Sequence, residues 1–190
     1  NISLVNELAT ICERLEVDPM DVVAAAATKP FGFMAFTPGP GIGGLQMTAP
    51  PAYWCDGARR LGVSAPTVRG AISANNLAIR RVMQAIESSL NGKSLRGASV
   101  LIVGVSYKPA TADTRDSIAT HVIEDLLRQG AEVSYADDLV AHFEVGGTPI
   151  PRIDLSRLDL VRAADVLVLL SVAASDWLSS VVRVANTVVD

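Results

Sequence analysis

An apolar run from Ala98 to Val105 determines the kind of sheet that this chain can form. Such a run is typical of a strand buried on both faces, which is the situation inside a parallel sheet. The residues C-terminal to this run predict an amphipathic helix, Asp116–Gln129. They also predict three more strands: Glu132–Ala136, Asp165–Leu170 and Thr187–Val189. Because strands that alternate with helices join through right-handed crossovers, residues 94–190 are predicted to form a parallel α/β domain.

Residues 1–93 carry a helical pattern instead. Apolar side chains first recur every three or four residues, and Asp18-Pro19 provides the cap and the first turn of a second helix. A short helix is expected over Tyr53–Leu61, and a long one over residues 65–91. The long helix would extend about 40 Å. We therefore expect part of its apolar stripe to pack against a second copy of the chain, with an ordinary intrachain core helix as the alternative.

The segment Pro38–Gly44 cannot be helical, because four of its seven residues are glycine and two are proline. Glycine lets a backbone approach a ligand closely and adopt positive φ, which leaves N–H groups free for an anion or a sugar hydroxyl. A ligand-binding loop and a structural turn are equal alternatives on composition alone. Three nearby phenylalanines are expected to anchor this loop: Phe31, Phe33 and Phe36.

Two cations follow the first predicted strand, at the edge of a parallel sheet where ligands gather. Lys108 and Arg115 are candidate phosphate partners there, although an isolated surface cation is more often only solvated. Four aspartates could form a metal cluster, but their spacing fits helix capping and a strand end better: Asp113, Asp116, Asp137 and Asp138.

The other conspicuous side chains have structural interpretations. His121 is expected on a helix face and His142 in a loop. Trp54, near the glycine-rich loop, is expected to pack as an apolar group, with stacking on a sugar as the alternative. Cys55 is expected to be a small buried hydrophobic residue. Trp177 is expected to anchor a helix.

Composition excludes several functional classes. Sixteen basic residues against 20 acidic ones give a net charge of −4, which argues against binding to nucleic acid or to an anionic membrane. Two cysteines and two histidines supply neither a disulfide framework nor a common metal motif. No apolar stretch is long enough to span a bilayer and no signal peptide is predicted, so a cytoplasmic location is expected. Because the chain opens with Asn1 inside a helical pattern, we expect it to be the tail of a longer protein.

Three motifs stand out in the first half: Asn1-Ile2-Ser3-Leu4-Val5-Asn6-Glu7-Leu8-Ala9, Ala27-Thr28-Lys29-Pro30-Phe31-Gly32-Phe33 and Pro38-Gly39-Pro40-Gly41-Ile42-Gly43-Gly44. Three more follow in the second half: Gly104-Val105-Ser106-Tyr107-Lys108, Asp113-Thr114-Arg115-Asp116-Ser117 and Tyr135-Ala136-Asp137. Together they resemble the UDP-glucose/GDP-mannose dehydrogenase family, in its order and over nearly the whole chain. Within the family, the pattern is most similar to bacterial UDP-N-acetyl-mannosamine or UDP-glucose 6-dehydrogenases.

The resemblance implies an α/β protein in which a central helical dimerisation domain (residues 1–93) precedes a Rossmann-like UDP-sugar-binding domain (residues 94–190). It implies NAD-dependent oxidation of a nucleotide sugar for polysaccharide synthesis, with the NAD domain outside this chain. It assigns the UDP-sugar to these residues: Phe36, Pro38, Gly39, Pro40, Gly41, Gly43, Gly44 and Lys108. It also places Arg115 near the NAD and a homodimer contact on the helix of residues 65–91.

Two departures from the family pattern bear on activity. In the alignment that the resemblance implies, Gln46 stands where the family has its nucleophilic cysteine, and Pro50 stands where the family has its catalytic aspartate. The family's second oxidation step passes through a thiohemiacetal, which a glutamine amide cannot form. Cys55 lies nine positions later and is not expected to replace that cysteine. We therefore expect no catalytic residue to be intact here and the chain alone to be inactive.

Three functional hypotheses follow from these departures. In the first, the chain is part of an active dehydrogenase. In the second, it belongs to a degenerate homologue that keeps only UDP-sugar binding or a dimer scaffold. In the third, the parent protein stops at the aldehyde, because removal of the hydride needs no thiolate.

Overall fold

The computed structural model describes residues 1–172 and 176–190, without the side chain of Asp176. By packing, the chain forms two compact units. The first contains residues 1–42 and 46–78, and the second contains residues 43–45 and 79–190. The second unit begins before the predicted boundary at residue 93, because Met83, Ile86 and Leu90 are buried in its core.

Helices make up the first unit: α1 (Ile2–Arg14), α2 (Pro19–Ala27), α3 (Leu45–Arg60) from Gln46 onward, and α4 (Pro66–Ser89) as far as Ala78. The predicted cap of α2 is confirmed, since the Asp18 carboxylate accepts a hydrogen bond of 2.8 Å from the Met20 N–H. Pro19 occupies the first helical position, where its missing N–H costs nothing. The long helix is also confirmed, with ends two residues or less from the predicted ones.

The third helix begins at Leu45, so the predicted start at Tyr53 is wrong. Pro50 and Pro51 lie inside it. The fixed φ of proline is compatible with a helix. Proline has no N–H, however, so the helix lacks the two backbone hydrogen bonds to the carbonyls of Gln46 and Met47. Two consecutive prolines therefore argue against a helix in the sequence, but the structure is helical through both of them.

Several apolar groups of the first unit are more exposed than predicted. None of the residues of α3 is buried, and Trp54 is 67% exposed, so its predicted packing is wrong. Cys55 is half-exposed instead of buried. Phe31 and Phe33 are exposed and do not anchor the loop, whereas Phe36 is half-buried.

The second unit contains the end of α4 and then, in chain order, β1 (Ser99–Val103), α5 (Ile118–Arg128), β2 (Glu132–Ala136), β3 (Glu144–Val145), β4 (Thr148–Pro149), α6 (Leu158–Ala163), β5 (Val166–Leu169), α7 (Asp176–Val184) and β6 (Val188–Val189). The predicted parallel sheet is confirmed, with strand order β2-β1-β5-β6. Val100 of β1 pairs with Val133 on one side and Val166 on the other. The chain is therefore an α/β protein.

Strand β1 is buried on both faces, as its composition predicted. Alternate side chains of a strand point to opposite faces, so Val100 and Ile102 join the core that includes the end of α4 and α5. Leu101 and Val103 join the opposite core. Trp177 on α7 packs against that second core, which confirms its predicted anchoring role.

A small antiparallel hairpin of β3 and β4 was not predicted from the sequence. Gly146-Gly147 forms its turn with positive φ at both residues. Each strand has only two residues, which is too short for an alternating pattern to appear. Within residues 1–172 and 176–190, no helix has the length and apolar character that crossing a membrane requires.

Candidate functional site

Two asparagines hold the Pro38–Gly44 loop by its backbone in the first unit. The Gly39 N–H donates to Asn6 Oδ1 at 2.9 Å. Asn75 accepts from the Ile42 N–H at 2.7 Å and donates through Nδ2 to the Ile42 carbonyl at 2.9 Å. The N–H groups of Gly39 and Ile42 are therefore engaged within the protein, and the prediction that the loop leaves them free is wrong.

The last two residues of the loop, Gly43 and Gly44, pack in the second unit, and we call them the glycine pair. The Gly44 N–H donates to the Asp116 carbonyl at 2.9 Å. A Cβ on Gly43 would lie 2.7 Å from that carbonyl oxygen. A Cβ on Gly44 would lie 2.6 Å from Cδ2 of Tyr107, and its φ of +91° also disfavours side chains. Both positions therefore require glycine.

Lys108 lies in the loop after β1, beside the same tyrosine. Its Nζ is 5.5 Å from the centroid of the Tyr107 ring. The Ser106 hydroxyl donates to the Lys108 carbonyl at 2.9 Å, which fixes the backbone at this point. Lys108 is exposed, and it forms no ion pair with any residue that the structure describes. Its positive charge is therefore available to an anion.

Arg115, the second candidate cation, is bound by a neighbouring carboxylate. Its Nε donates to Asp113 Oδ1 at 2.9 Å and its Nη2 to Asp113 Oδ2 at 2.6 Å. These hydrogen bonds and one from the Arg115 backbone N–H lower the pKa of Asp113 from 3.8 to about 2. The charge of Arg115 is thus compensated locally, whereas that of Lys108 is not.

Asp116 shapes the end of this loop through an unusual backbone conformation. Its φ of +53° turns its carbonyl toward the glycine pair, and its carboxylate contacts His121 Nε2 at 3.0 Å. Ser117 caps α5 by accepting from the Thr120 N–H, so the predicted helix start at Asp116 is wrong by two residues. His121 lies on the helix as expected, but it is bound to Asp116.

Asp137 has the structural role that its position at a strand end predicted. Its Oδ2 accepts from the Val105 N–H at 3.0 Å, and its Oδ1 accepts from the N–H groups of Leu139 and Val140. In the described part of the chain, no group of three or more histidines, cysteines or acidic residues could hold a metal ion.

A cavity of about 280 Å³ lies at the carboxyl ends of β1, β2 and β5. Its lining includes Ser106, Asp137 and Trp177. Both oxygens of Asp137 and the Ser106 hydroxyl already form hydrogen bonds within the protein. The loop that carries Lys108 forms part of this lining, through Ser106 and residues 109–111.

Gln46 and Pro50 both lie near the start of α3. Because they are four residues apart in a helix, they share one face. Cys55 is nine residues from Gln46, which places it about 14 Å along the axis and on the opposite face. This geometry agrees with the expectation that Cys55 does not substitute for the family cysteine.

The predicted substrate residues divide between the two units. Gly43, Gly44 and Lys108 belong to the second unit, where Gly44 and Lys108 lie beside Tyr107 and Gly43 packs against Asp116. The others belong to the first unit: Phe36, Pro38, Gly39, Pro40 and Gly41. Asn75 and Tyr107 were not predicted as site residues. A polar Asn75 within the apolar stripe of the long helix was the available signal for the first, and the motif Gly104-Val105-Ser106-Tyr107-Lys108 was the signal for the second.

Two family models match the chain. Residues 1–77 match the UDP-glucose/GDP-mannose dehydrogenase family, central domain, and residues 101–178 match the UDP binding domain of the same family. Together they match more than half of the chain.

Curated relatives and solved structures agree with these matches. A UDP-N-acetyl-D-mannosamine dehydrogenase of Methanococcus maripaludis is 30% identical over 171 residues, which is 90% of this chain and 37% of that protein. A UDP-N-acetyl-D-glucosamine 6-dehydrogenase of Pseudomonas aeruginosa is 30% identical over 79% of this chain and 36% of its own length. The solved UDP-glucose dehydrogenase of Pyrobaculum islandicum shares the fold, with a TM-score of 0.83 and 23% identity over 100% of this chain and 47% of its own. The chain therefore spans less than half of each of these proteins.

Proposed function

Because the chain belongs to the UDP-glucose/GDP-mannose dehydrogenase family, we propose that it supplies the dimerising and UDP-sugar-binding part of a nucleotide-sugar 6-dehydrogenase. The parent would oxidise C6 of a UDP-hexose with NAD, in the cytoplasm, to make a polysaccharide precursor. The names of the two curated relatives favour an N-acetylated hexose as the sugar.

The observation that carries this proposal is that Lys108 and Gly44 lie beside the same Tyr107 ring. An exposed ammonium without a carboxylate partner in the described residues attracts a diphosphate. The Gly43 N–H donates to no described residue, but Gly43 is buried, so the exposed Lys108 ammonium is the group on which the proposal rests.

The chain alone is proposed to be inactive. The family's second oxidation needs a thiolate sulfur that adds to the aldehyde carbon, and the Gln46 amide has no nucleophilic atom for this step. Pro50 likewise provides no carboxylate to take a proton from water. Cys55 is on the far face of the same helix from Gln46.

Among the residues that the structure describes, one side chain is a candidate contact for NAD. The family pattern assigns only Arg115 to the cofactor, and Asp113 holds the Arg115 guanidinium through two hydrogen bonds. We therefore derive no hydride transfer within this chain, and the NAD of the proposed parent would be held by residues outside it.

Homodimer formation is part of the proposal, with the helix of residues 65–91 at the contact. Its support is the number of large apolar side chains that the first unit leaves exposed, among them Leu4, Ile11, Leu15, Tyr53, Trp54 and Leu77. A surface this apolar gains stability when a second copy covers it.

Isothermal titration calorimetry with UDP tests the binding role. Lys108→Ala is expected to weaken UDP binding by about 10-fold or more, since a hydrogen bond from a charged group contributes about 1.5–3 kcal/mol. Lys93→Ala is the matched control, because Lys93 is an exposed lysine of the same unit that pairs with Asp165 at the opposite end of β1. Absence of UDP binding, or equal losses in both variants, would contradict the proposal.

The alternative is a degenerate homologue that binds UDP-sugars without turnover, and Gln46 and Pro50 favour it. Incubation of the full-length protein with NAD and UDP-N-acetylhexosamines distinguishes the two. Formation of NADH supports the dehydrogenase, and binding without NADH supports the degenerate homologue. Trapping with hydroxylamine would reveal a parent that stops at the aldehyde.

A further inference from the structure

Tyr107 contacts both parts of the candidate site. Its ring lies against Gly44, where a Cβ would be 2.6 Å from Cδ2 and 3.0 Å from Cγ. The same ring has the Lys108 ammonium 5.5 Å from its centroid. One half-buried side chain therefore connects the glycine pair to the available cation.

The backbone around this tyrosine is fixed, but the lysine side chain is not. The Tyr107 N–H donates to the Asp113 carbonyl at 2.9 Å, and the Ser106 hydroxyl donates to the Lys108 carbonyl at 2.9 Å. Lysine has a long flexible stem, so a fixed backbone leaves the position of its ammonium open. Of the described residues, the Tyr107 ring is what the Lys108 ammonium contacts.

We propose that Tyr107 is a positioning residue, which holds the Lys108 ammonium over its ring and so presents it to a diphosphate. The face of an aromatic ring attracts a cation within about 6 Å. Gly44 holds the ring in turn, because only a residue without a side chain permits this approach. The inference rests on the proposed function and deepens it, since it explains how the diphosphate would be recognised.

A purely structural role for Tyr107 makes different predictions. If the ring only filled space, its removal would lower stability without any dependence on Lys108. If the ring positions the ammonium, its effect on UDP affinity disappears once Lys108 is gone. A double-mutant cycle separates these cases.

The experiment compares UDP affinities of the wild-type chain, Tyr107→Leu, Tyr107→Phe, Lys108→Ala and the double variant Tyr107→Leu/Lys108→Ala. Competition calorimetry extends the measurement to weak binders. Tyr107→Leu is expected to weaken UDP binding by about 2- to 5-fold, the value of an exposed cation–π contact. Tyr107→Phe retains the ring and should bind within about 2-fold of wild type, and the double variant should bind no more weakly than Lys108→Ala.

A second pair of variants tests the inference without altering the ring. Gly44→Ala would push the Tyr107 ring away and should weaken UDP binding, whereas Gly62→Ala should not. Gly62 is the matched control because its φ of +71° imposes similar backbone strain, while a Cβ there has nothing within 4 Å. This pair applies even if Tyr107→Leu does not fold.

Each outcome decides between the two claims. Wild-type affinity in Tyr107→Leu or Gly44→Ala, with a loss in Lys108→Ala, overturns the positioning role and leaves the proposed function intact. Additive losses in the double variant, or a Tyr107→Phe that binds as weakly as Tyr107→Leu, also overturn it. A wild-type chain that does not bind UDP overturns both claims.

Discussion

Two cations that look alike in the sequence have different environments in the structure. Arg115 is two residues from Asp113, and the intervening turn lets its guanidinium bind both carboxylate oxygens. Lys108 has only an aromatic ring beside it among the described residues. The difference depends on side-chain directions in an irregular loop, which residue spacing alone does not specify. Lys108 is therefore the stronger candidate for binding an anion.

Arg115→Gln is expected to raise the pKa of Asp113 from about 2 toward 3.8, because the guanidinium hydrogen bonds are the main cause of the low value. The wild-type ion pair should therefore stay ionised until the pH falls toward 2. Its contribution to stability should be complete above the ordinary aspartate pKa, at about pH 4, and should be lost as the pH falls from there through the folded pKa. A carboxyl-carbon NMR titration measures this directly.

Arg96→Gln provides the control for that titration, since Arg96 is an exposed arginine elsewhere on the same unit. It should leave the pKa of Asp113 at about 2. A value that also stays near 2 in Arg115→Gln would assign the shift to backbone N–H groups and contradict the ion pair.

Regular elements with a clear local pattern could be predicted from the sequence. Strand β2 occupies the predicted residues Glu132–Ala136, and α2 has the predicted cap. The start of α3 was missed because Pro50 and Pro51 indicate a helix boundary in the sequence, whereas in the structure they lie inside the helix. The β3–β4 hairpin was missed because two-residue strands have no periodicity.

The candidate site could be predicted only in part, because its contacts are distant in the sequence. The Pro38–Gly44 loop is recognisable from its own composition, and Lys108 is recognisable as a cation that follows a buried strand. Asn75 and Ile42 are 33 residues apart, and Gly44 and Tyr107 are still farther apart. A local sequence pattern contains no information on contacts between residues so far apart. The residues that hold the loop could therefore be identified only from the structure.

Asn75→Ala is expected to lower the free energy of unfolding by about 1–3 kcal/mol, because it removes both hydrogen bonds to Ile42 from a half-buried site. Asn76→Ala is the matched control, since Asn76 is its exposed neighbour on α4 and the change in helix propensity is the same. Urea unfolding of both variants gives the difference. Equal stabilities would show that the Asn75 side chain does not hold the loop.

At the scale of the whole molecule, the two units differ in how well they bury their apolar groups. The second unit has a core on each face of its sheet. The first unit has few buried apolar residues, and α3 has none. Such a unit is expected to gain stability from a partner surface, which agrees with the proposed homodimer.

Sedimentation equilibrium should give the wild-type chain a mass of about twice 20.0 kDa. Leu77→Arg should yield monomers, because Leu77 is an exposed apolar residue of α4 and a buried unpaired charge is costly. Leu139→Arg introduces the same charge at an exposed leucine of the second unit and should leave the dimer intact. A monomeric wild type, or a dimeric Leu77→Arg, would contradict the proposed contact.

The glycine pair and the loop after β1 are proposed to form one binding site for UDP. An amide NMR titration of the whole chain with UDP tests this proposal, because it reports which backbone groups sense the ligand. The largest shifts are expected at Gly43, Gly44, Tyr107, Lys108 and residues 113–117. Shifts confined to cavity residues away from that loop, such as Asp137, Asp138 and Trp177, or no shifts at all, would contradict a site at the glycine pair.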